Sequence, residues 1–268
     1  MPLAVCATPI GNLEDVTLRV LRELAEADVV LCEDTRHTRK LLERHGIRAR
    51  LLSYHQHNEA KRTAELVPRL EAGERVALVS DSGLPAISDP GARLVAAALE
   101  AGVAVTVLPG PSAVETALVA SGLAGQEGYQ FVGYLPRGER ALLALAEELA
   151  RRPWAVVAFE SPQRLPASLG VLARVIPDRP AAVCRELTKR FEEVARGTVS
   201  ELARRFEAGV KGEITFVLGA AAVAGPDEGA AHAAVAELLD AGVPRRQAAD
   251  VVSRLTGVAR NRLYKASL

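Results

Sequence analysis

The sequence predicts an α/β protein built from two α/β domains with a small helical extension at its carboxyl end. Three observations carry this reading. Short apolar runs alternate with longer amphipathic stretches as far as about residue 218, the pattern of a sheet whose strands are joined by helices. The prolines flanking glycine in Leu108-Pro109-Gly110-Pro111-Ser112-Ala113 break that rhythm near the middle of the chain. Finally, Ala220 to Gly229 is rich in small residues, glycine and proline and lacks an apolar period, so it reads as a linker. The domains accordingly fall at 1–110, 111–219 and 230–268.

In order, Leu3 to Ala7 forms a strand, Thr8-Pro9-Ile10-Gly11-Asn12 a tight turn, and a helix to about Ala25 carries Val16, Val20, Leu21 and Leu24 on one face. Asp28 to Cys32 is the second strand. The next helix opens at Glu33-Asp34-Thr35-Arg36, buries Leu41 and Leu42, and stops at Gly46. Arg50 to Ser53 is a strand, Asn58 to Leu70 a helix, and Arg75 to Val79 a buried strand. The helix Gly91 to Ala101 and strand Ala104 to Leu108 complete a parallel, doubly wound first domain. In the second domain Ser112 is placed to cap the helix Ala113 to Ser121. Strands follow at Gln130 to Tyr134, Trp154 to Phe159, Ala181 to Arg185 and Glu213 to Leu218. Between them lie helices at Gly138 to Arg151, Pro162 to Val175 and Val199 to Glu207. Of three short terminal helices, Pro244 to Leu255 and Val258 to Lys265 flank Thr256-Gly257 with helix-turn-helix proportions, which equally suit a packing or dimer element.

With 268 residues, 49% hydrophobic and 25% charged, the chain has the composition of a soluble globular protein and fits no disordered class. Cys6, Cys32 and Cys184 lie in strands without CxxC spacing, so buried, reduced thiols are expected rather than a zinc site or disulfides. Met1-Pro2-Leu3 leads straight into a strand and no run approaches about 18 apolar residues, so a cytoplasmic protein without membrane contact is expected. The formal net charge of zero argues against a nucleic-acid surface over the whole chain. Two local patches stand out, however: Arg36 to Arg50 and Arg245 to Lys265 each carry six basic residues against a single acid. Such runs suit solvated helix faces, and two of them on a neutral chain also suit a nucleic acid.

The chain is organised around Val79 to Gly91, a loop at the carboxyl end of a buried strand, where ligands of open α/β sheets bind. Gly83 and Gly91 open backbone conformations that other residues avoid, while Pro85 and Pro90 stiffen the loop; an ordinary turn-rich connection has the same composition. No GxGxxG, GxxxxGK[ST], HExxH or GxSxG occurs, so dinucleotide, P-loop, zinc-peptidase and serine-hydrolase readings recede. There remain turn-rich segments at strand ends, Thr8 to Asn12, Asp81 to Gly91, Pro109 to Ala113, Glu160 to Pro162, Glu186 to Lys189 and Lys211 to Thr215, placed to converge on a cleft between two domains.

These segments carry a resemblance. Thr8-Pro9-Ile10-Gly11-Asn12-Leu13 with Asp15, Glu33-Asp34-Thr35-Arg36, Ser80 to Gly91, Pro109 to Ala113, Phe159-Glu160-Ser161-Pro162 and Arg185-Glu186-Leu187-Thr188-Lys189 resemble the tetrapyrrole-methylase superfamily. Within it they are most similar to members that act on small-subunit ribosomal RNA. The resemblance implies two α/β domains with S-adenosyl-L-methionine in the cleft, usually as a homodimer, and 2′-O-methylation of a cytidine in the decoding centre of 16S rRNA. It implies cofactor contacts from Pro9, Asp81, Gly83, Leu84, Pro85, Ile87, Ser112 and Ala113 in the first half. From the second half it implies Ser161, Leu187, Glu213 and Thr215. Tetrapyrrole-modifying members commonly carry Gly-Asp-Pro where this chain has Gly83-Leu84-Pro85, which weighs against a tetrapyrrole or other small-molecule acceptor. A non-catalytic RNA-binding module would not need the full set of cofactor loops.

Methyl transfer requires the donor carbon held in line with the attacking oxygen at about 3–3.5 Å, and a ribose hydroxyl needs a base or a well-placed acceptor. Asp34, Asp81, Glu160 and Lys189 are the candidates; Asp34 equally suits an N-cap, and Lys189 would act only if neutral. Arg36 and Arg39 suit phosphate contacts beside the target nucleotide, and Arg245, Arg246, Arg260 and Arg262 suit docking of the RNA by the terminal helices, or simple solvation.

Overall fold

The computed structural model describes residues 2–221 and 228–266, which form one unit through residue 221 and a second beyond it. Each unit is described by itself.

The first unit holds two five-stranded sheets. Strands β1 (Leu3–Cys6), β2 (Val29–Cys32), β3 (Leu51–Ser53), β4 (Val76–Val79) and β5 (Val105–Leu108) make an all-parallel sheet in the order β3-β2-β4-β1-β5. β1, β2 and β4 are fully buried because helices cover both faces, which is why they read as unbroken apolar runs. Those helices are α1 (Leu18–Glu26), α2 (Thr35–Arg44), α3 (Glu59–Glu71) and α4 (Ala92–Glu100). Two apolar clusters result, one around Val5, Leu31, Tyr54 and Leu94 and one around Val20, Leu24, Leu41 and Leu42.

The second lobe holds α5 (Ala113–Ser121), β6 (Tyr129–Tyr134), α6 (Glu139–Leu149), β7 (Ala155–Glu160), α7 (Leu165–Val175), β8 (Pro180–Arg185), β9 (Glu193–Thr198), α8 (Val199–Arg205) and β10 (Ile214–Leu218). Its sheet runs β6-β7-β10-β8-β9 and is mixed: only β6 and β7 pair in parallel, and the other three pairings are antiparallel. The sequence pattern predicts no strand at Glu193–Thr198. Its residues Glu193, Arg196 and Gly197 are poor strand formers, and β9 is held as an edge strand by six-residue pairing with β8.

One smaller expectation changes. Ser112 stands at the N-cap position of α5 but makes no cap bond; its hydroxyl donates to the Glu115 carboxylate instead. The linker expected at Ala220 to Gly229 lies largely outside the described residues. The three cysteines are buried and free, and burial pushes the thiols of Cys6 and Cys184 up to about 12 and about 11, consistent with inert core thiols.

The second unit comprises α9 (Glu228–Asp240), α10 (Arg245–Thr256) and α11 (Arg260–Ala266), closed over Ala231, Val235, Ala248, Ala249, Val252 and Leu263. Gly257 ends α10 in the left-handed region, φ 74°, and turns the chain into α11. Among the described residues no helix is long and apolar enough to cross a membrane.

Candidate active site

The site begins where β1 and β4 lie side by side. Their carboxyl-end loops are stitched together: the Thr8 amide donates to the Gly83 carbonyl at 2.8 Å, the Gly83 amide returns to the Thr8 carbonyl at 3.1 Å, and the Thr8 hydroxyl donates to the Ser80 carbonyl at 3.0 Å. The loop that follows is wound tightly. Gly83 and Gly91 take positive φ, as expected, but so do Ala86 (70°) and Ser88 (65°), where an L side chain is strained. A Cβ on Gly91 would also lie 2.9 Å from Leu78.

The second lobe supplies the facing loops, and it touches the first through residues 187–189. Asn12 donates its amide to the Thr188 hydroxyl at 3.0 Å. A Cβ on Gly11 would meet Lys189 Cγ at 2.6 Å and the Leu187 carbonyl at 2.8 Å, so only glycine allows this approach. Between the lobes lies a cavity of about 600 Å³. Gly83, Leu84, Ile87, Ser112, Ala113, Glu160, Ser161, Glu213 and Thr215 of the predicted residues line it, together with Ser82, Asp89, Tyr134, Phe159 and Glu186.

The remaining predicted residues stand elsewhere. Pro9 and Asp81 line a small crevice with His37, Thr38 and Leu41. Pro85 is buried within its loop, and Leu187 is buried in the apolar cluster with Ile10 and Val114. These residues support the cavity wall rather than form it.

The four candidate bases separate clearly by partner. Asp34 is the N-cap of α2, accepting from the Arg36 amide at 2.8 Å and from the Arg36 guanidinium at 3.1 and 2.7 Å. That side-chain bond holds its carboxyl well below the usual carboxylate range. Asp81 anchors the same turn by accepting the Asp34 amide at 3.1 Å. Glu160 has a fully buried side chain and accepts from the Ser161 amide (2.6 Å), Arg164 Nε (2.8 Å) and the Ser168 hydroxyl (2.5 Å). Both of its oxygens are engaged, so it organises the start of α7. Lys189 lies 3.1 Å from Glu186 and 3.0 Å from Glu213. Burial works against its ammonium form, but the bonds to Glu213 and Glu186 outweigh this and raise its pKa, so it stays charged.

Two residues that the sequence pattern does not single out face the cavity with their polar atoms uncommitted to such pairs. Asp89 has a carboxyl pushed up to about 6, first by burial and then by repulsion from Glu33 and Asp81. Tyr134 is 62% exposed and stands edge-on to Phe159, ring centroids 5.6 Å apart. Asp89-Pro90-Gly91 reads as a turn and Tyr134 as a strand residue, which hides both; Gly133 inside a strand is the available signal for a bulge.

Of the arginines, Arg36 is tied to Asp34, Arg260 to Asp250 at 3.0 Å and Arg262 to Glu228, while Arg39 and Arg246 are exposed and Arg245 is half-buried.

Comparison with known proteins places this geometry. A family model described as tetrapyrrole (corrin/porphyrin) methylases matches residues 2–203. The chain belongs to the tetrapyrrole methylase family. Residues 226–268 match the model described as the RsmI C-terminal HTH domain. Among relatives in the family, a protein of Mesorhizobium japonicum named ribosomal RNA small subunit methyltransferase I is 44% identical over 99% of this chain and 91% of its own length. One of the same name from Thermotoga maritima is 44% identical over 81% of this chain and 97% of its own. Among solved structures, the methyltransferase CobJ superposes with a TM-score of 0.62 at 21% identity, covering 82% of this chain and 94% of that one. Thermus thermophilus uroporphyrin-III C-methyltransferase complexed with S-adenyl homocysteine gives 0.57 at 22% identity, covering 81% and 96%. These two likenesses concern the fold.

Proposed function

We propose that the protein is an S-adenosyl-L-methionine-dependent methyltransferase of 16S ribosomal RNA that methylates the ribose 2′-hydroxyl of a cytidine. The observation that carries this reading is one cavity, walled by the strand-end loops of both lobes, in a chain whose relatives at 44% identity are named for small-subunit rRNA methylation.

The cavity suits the donor. Its volume lies within the usual range for a small-molecule site. Its walls combine apolar Ile10, Leu84, Ala113, Val114 and Phe159 with the hydroxyls of Ser82, Ser112 and Ser161, and carry carboxylates but neither lysine nor arginine. An apolar, anionic wall accommodates a nucleoside bearing a sulfonium and an ammonium group. Gly83, Leu84, Ala113 and Thr215 would hold the donor, Ser112 and Ser161 would hydrogen-bond it, and Glu213, shared with Lys189, would lie beside it. When bound, the donor supplies an activated methyl group. The chain's own task is positioning: strained, proline-stiffened loops fix the wall against which the donor is held.

The RNA would approach along exposed basic side chains, Arg39 on the first unit and Arg246, beside the half-buried Arg245, on the terminal helices. Resemblance to the family further supports a cytoplasmic homodimer, checked by light scattering on the purified protein. The function is tested by adding methyl-labelled S-adenosylmethionine to small ribosomal subunits lacking the modification, with a porphyrinogen as competing acceptor. Label in 16S rRNA supports the reading; label only in the tetrapyrrole, or none despite donor binding, overturns it.

A further inference from the structure

Resting on that reading of the cavity, we infer that Asp89 and Tyr134 form the acceptor-nucleoside subsite, Tyr134 stacking on the target base while the Asp89 carboxylate takes the proton of the attacking hydroxyl.

Three structural observations converge on this pair. First, both residues line the same cavity from opposite lobes, Asp89 at the end of the strained loop and Tyr134 at the end of β6. Second, the pairing of β6 with β7 shifts register between Phe131 and Tyr134, with Gly133 at φ 70° in between. This bulge re-aims Tyr134, a common device beside active sites. A largely exposed tyrosine ring on a strand end has no packing reason to be there, yet this one is propped by Phe159, which in turn leans on Phe131 at 4.9 Å. A rigid aromatic face open to a cleft is what recognition of an unstacked RNA base uses. Third, the other carboxylates around the site are engaged: Glu160 by Arg164 and Ser168, and Glu186 and Glu213 by Lys189. Asp89 is left facing the cavity with Ser80 as its hydrogen-bonding neighbour.

The titratable groups facing Asp89 are Glu33 and Asp81 on its own lobe and Tyr134 on the other, and Tyr134 in turn faces Glu213 and the Glu160–Arg164 pair. The two nearby acids disfavour its ionisation and so make it a better proton acceptor once ionised. In the step proposed, the 2′-hydroxyl proton passes to Asp89 Oδ as the oxygen–methyl bond forms. The methyl–sulfur bond breaks, its electron pair remains on sulfur, and the neutral thioether leaves. Asp89 then returns its proton to solvent.

The experiment uses the full-length protein and unmodified small subunits. Asp89→Asn should lower kcat about 100-fold or more, leave S-adenosylhomocysteine affinity unchanged by calorimetry, and remove the rise of the wild-type rate through about pH 6. Tyr134→Ala should raise KM for the subunit at least about fivefold, with Tyr134→Phe restoring it, because stacking needs the ring and not the hydroxyl. Asp89→Asn with a wild-type rate and pH profile, or with abolished S-adenosylhomocysteine binding, overturns the base assignment. A Tyr134→Phe variant as weak as Tyr134→Ala overturns stacking. Absence of methyl transfer by the wild-type protein would instead overturn the proposed function itself.

Discussion

At the scale of single residues, the carboxylates around the cleft sort by what they touch, and two stability measurements follow. Asp89 has a higher pKa when folded than when unfolded, about 6 against 3.8. The folded state therefore binds the proton more tightly, and that stabilisation is complete below pH 3.8 and disappears as pH rises through about 6. Asp89→Asn should match wild type near pH 4 and exceed it by about 1–2 kcal/mol above pH 7 after solvent screening, a few degrees in Tm. An unchanged difference between pH 4 and pH 8 would contradict this. Glu160 is held by its partners instead. Its side chain is buried with Arg164 and Ser168, so Glu160→Gln should cost about 3–5 kcal/mol, read as a fall in the denaturant midpoint. A variant that keeps wild-type stability and loses only kcat would restore Glu160 as a base.

At the scale of elements, the loop from Ser80 to Gly91 stores strain where the site needs a fixed wall. Ala86→Gly and Ser88→Gly should be neutral or stabilising by up to about 1 kcal/mol, whereas Gly91→Ala should destabilise by about 1–3 kcal/mol through its positive φ and its approach to Leu78. Thermal melts of the three variants check the order. The loop itself is legible in the sequence as glycine, proline and aspartate after an apolar strand, although that composition alone does not separate a ligand loop from an ordinary connection. The strain at Ala86 and Ser88 is not, since nothing in alanine or serine announces a positive φ. Likewise β1, β2 and β4 are legible as apolar runs buried on both faces, while β9 is hidden because Glu193, Arg196 and Gly197 form a strand only through pairing with β8. Asp34 can be read as a cap from its place before a helix. Its commitment to Arg36 emerges only from the side-chain geometry.

At the scale of the whole molecule, the first unit brings segments more than 170 residues apart together, and Gly11 is a point of close approach between its lobes. Gly11→Ala must displace the Leu187 carbonyl as well as Lys189, so it should lower both stability and donor affinity; unchanged donor affinity would show that the lobes adjust without disturbing the cavity. The second unit has its own core and a basic surface on α10. On the proposed role of that surface in holding RNA phosphates, Arg246→Ala should weaken subunit binding and reduce the slope of log K against log salt by about 1. The central claim is methyl transfer to a ribose hydroxyl in small-subunit RNA, and the most direct measurement is nucleoside mass spectrometry of unmodified small subunits after incubation with the protein and S-adenosylmethionine. The expected product is 2′-O-methylcytidine in the digest; a methyl group on a base, or an unmodified digest with the donor bound, would contradict ribose methylation.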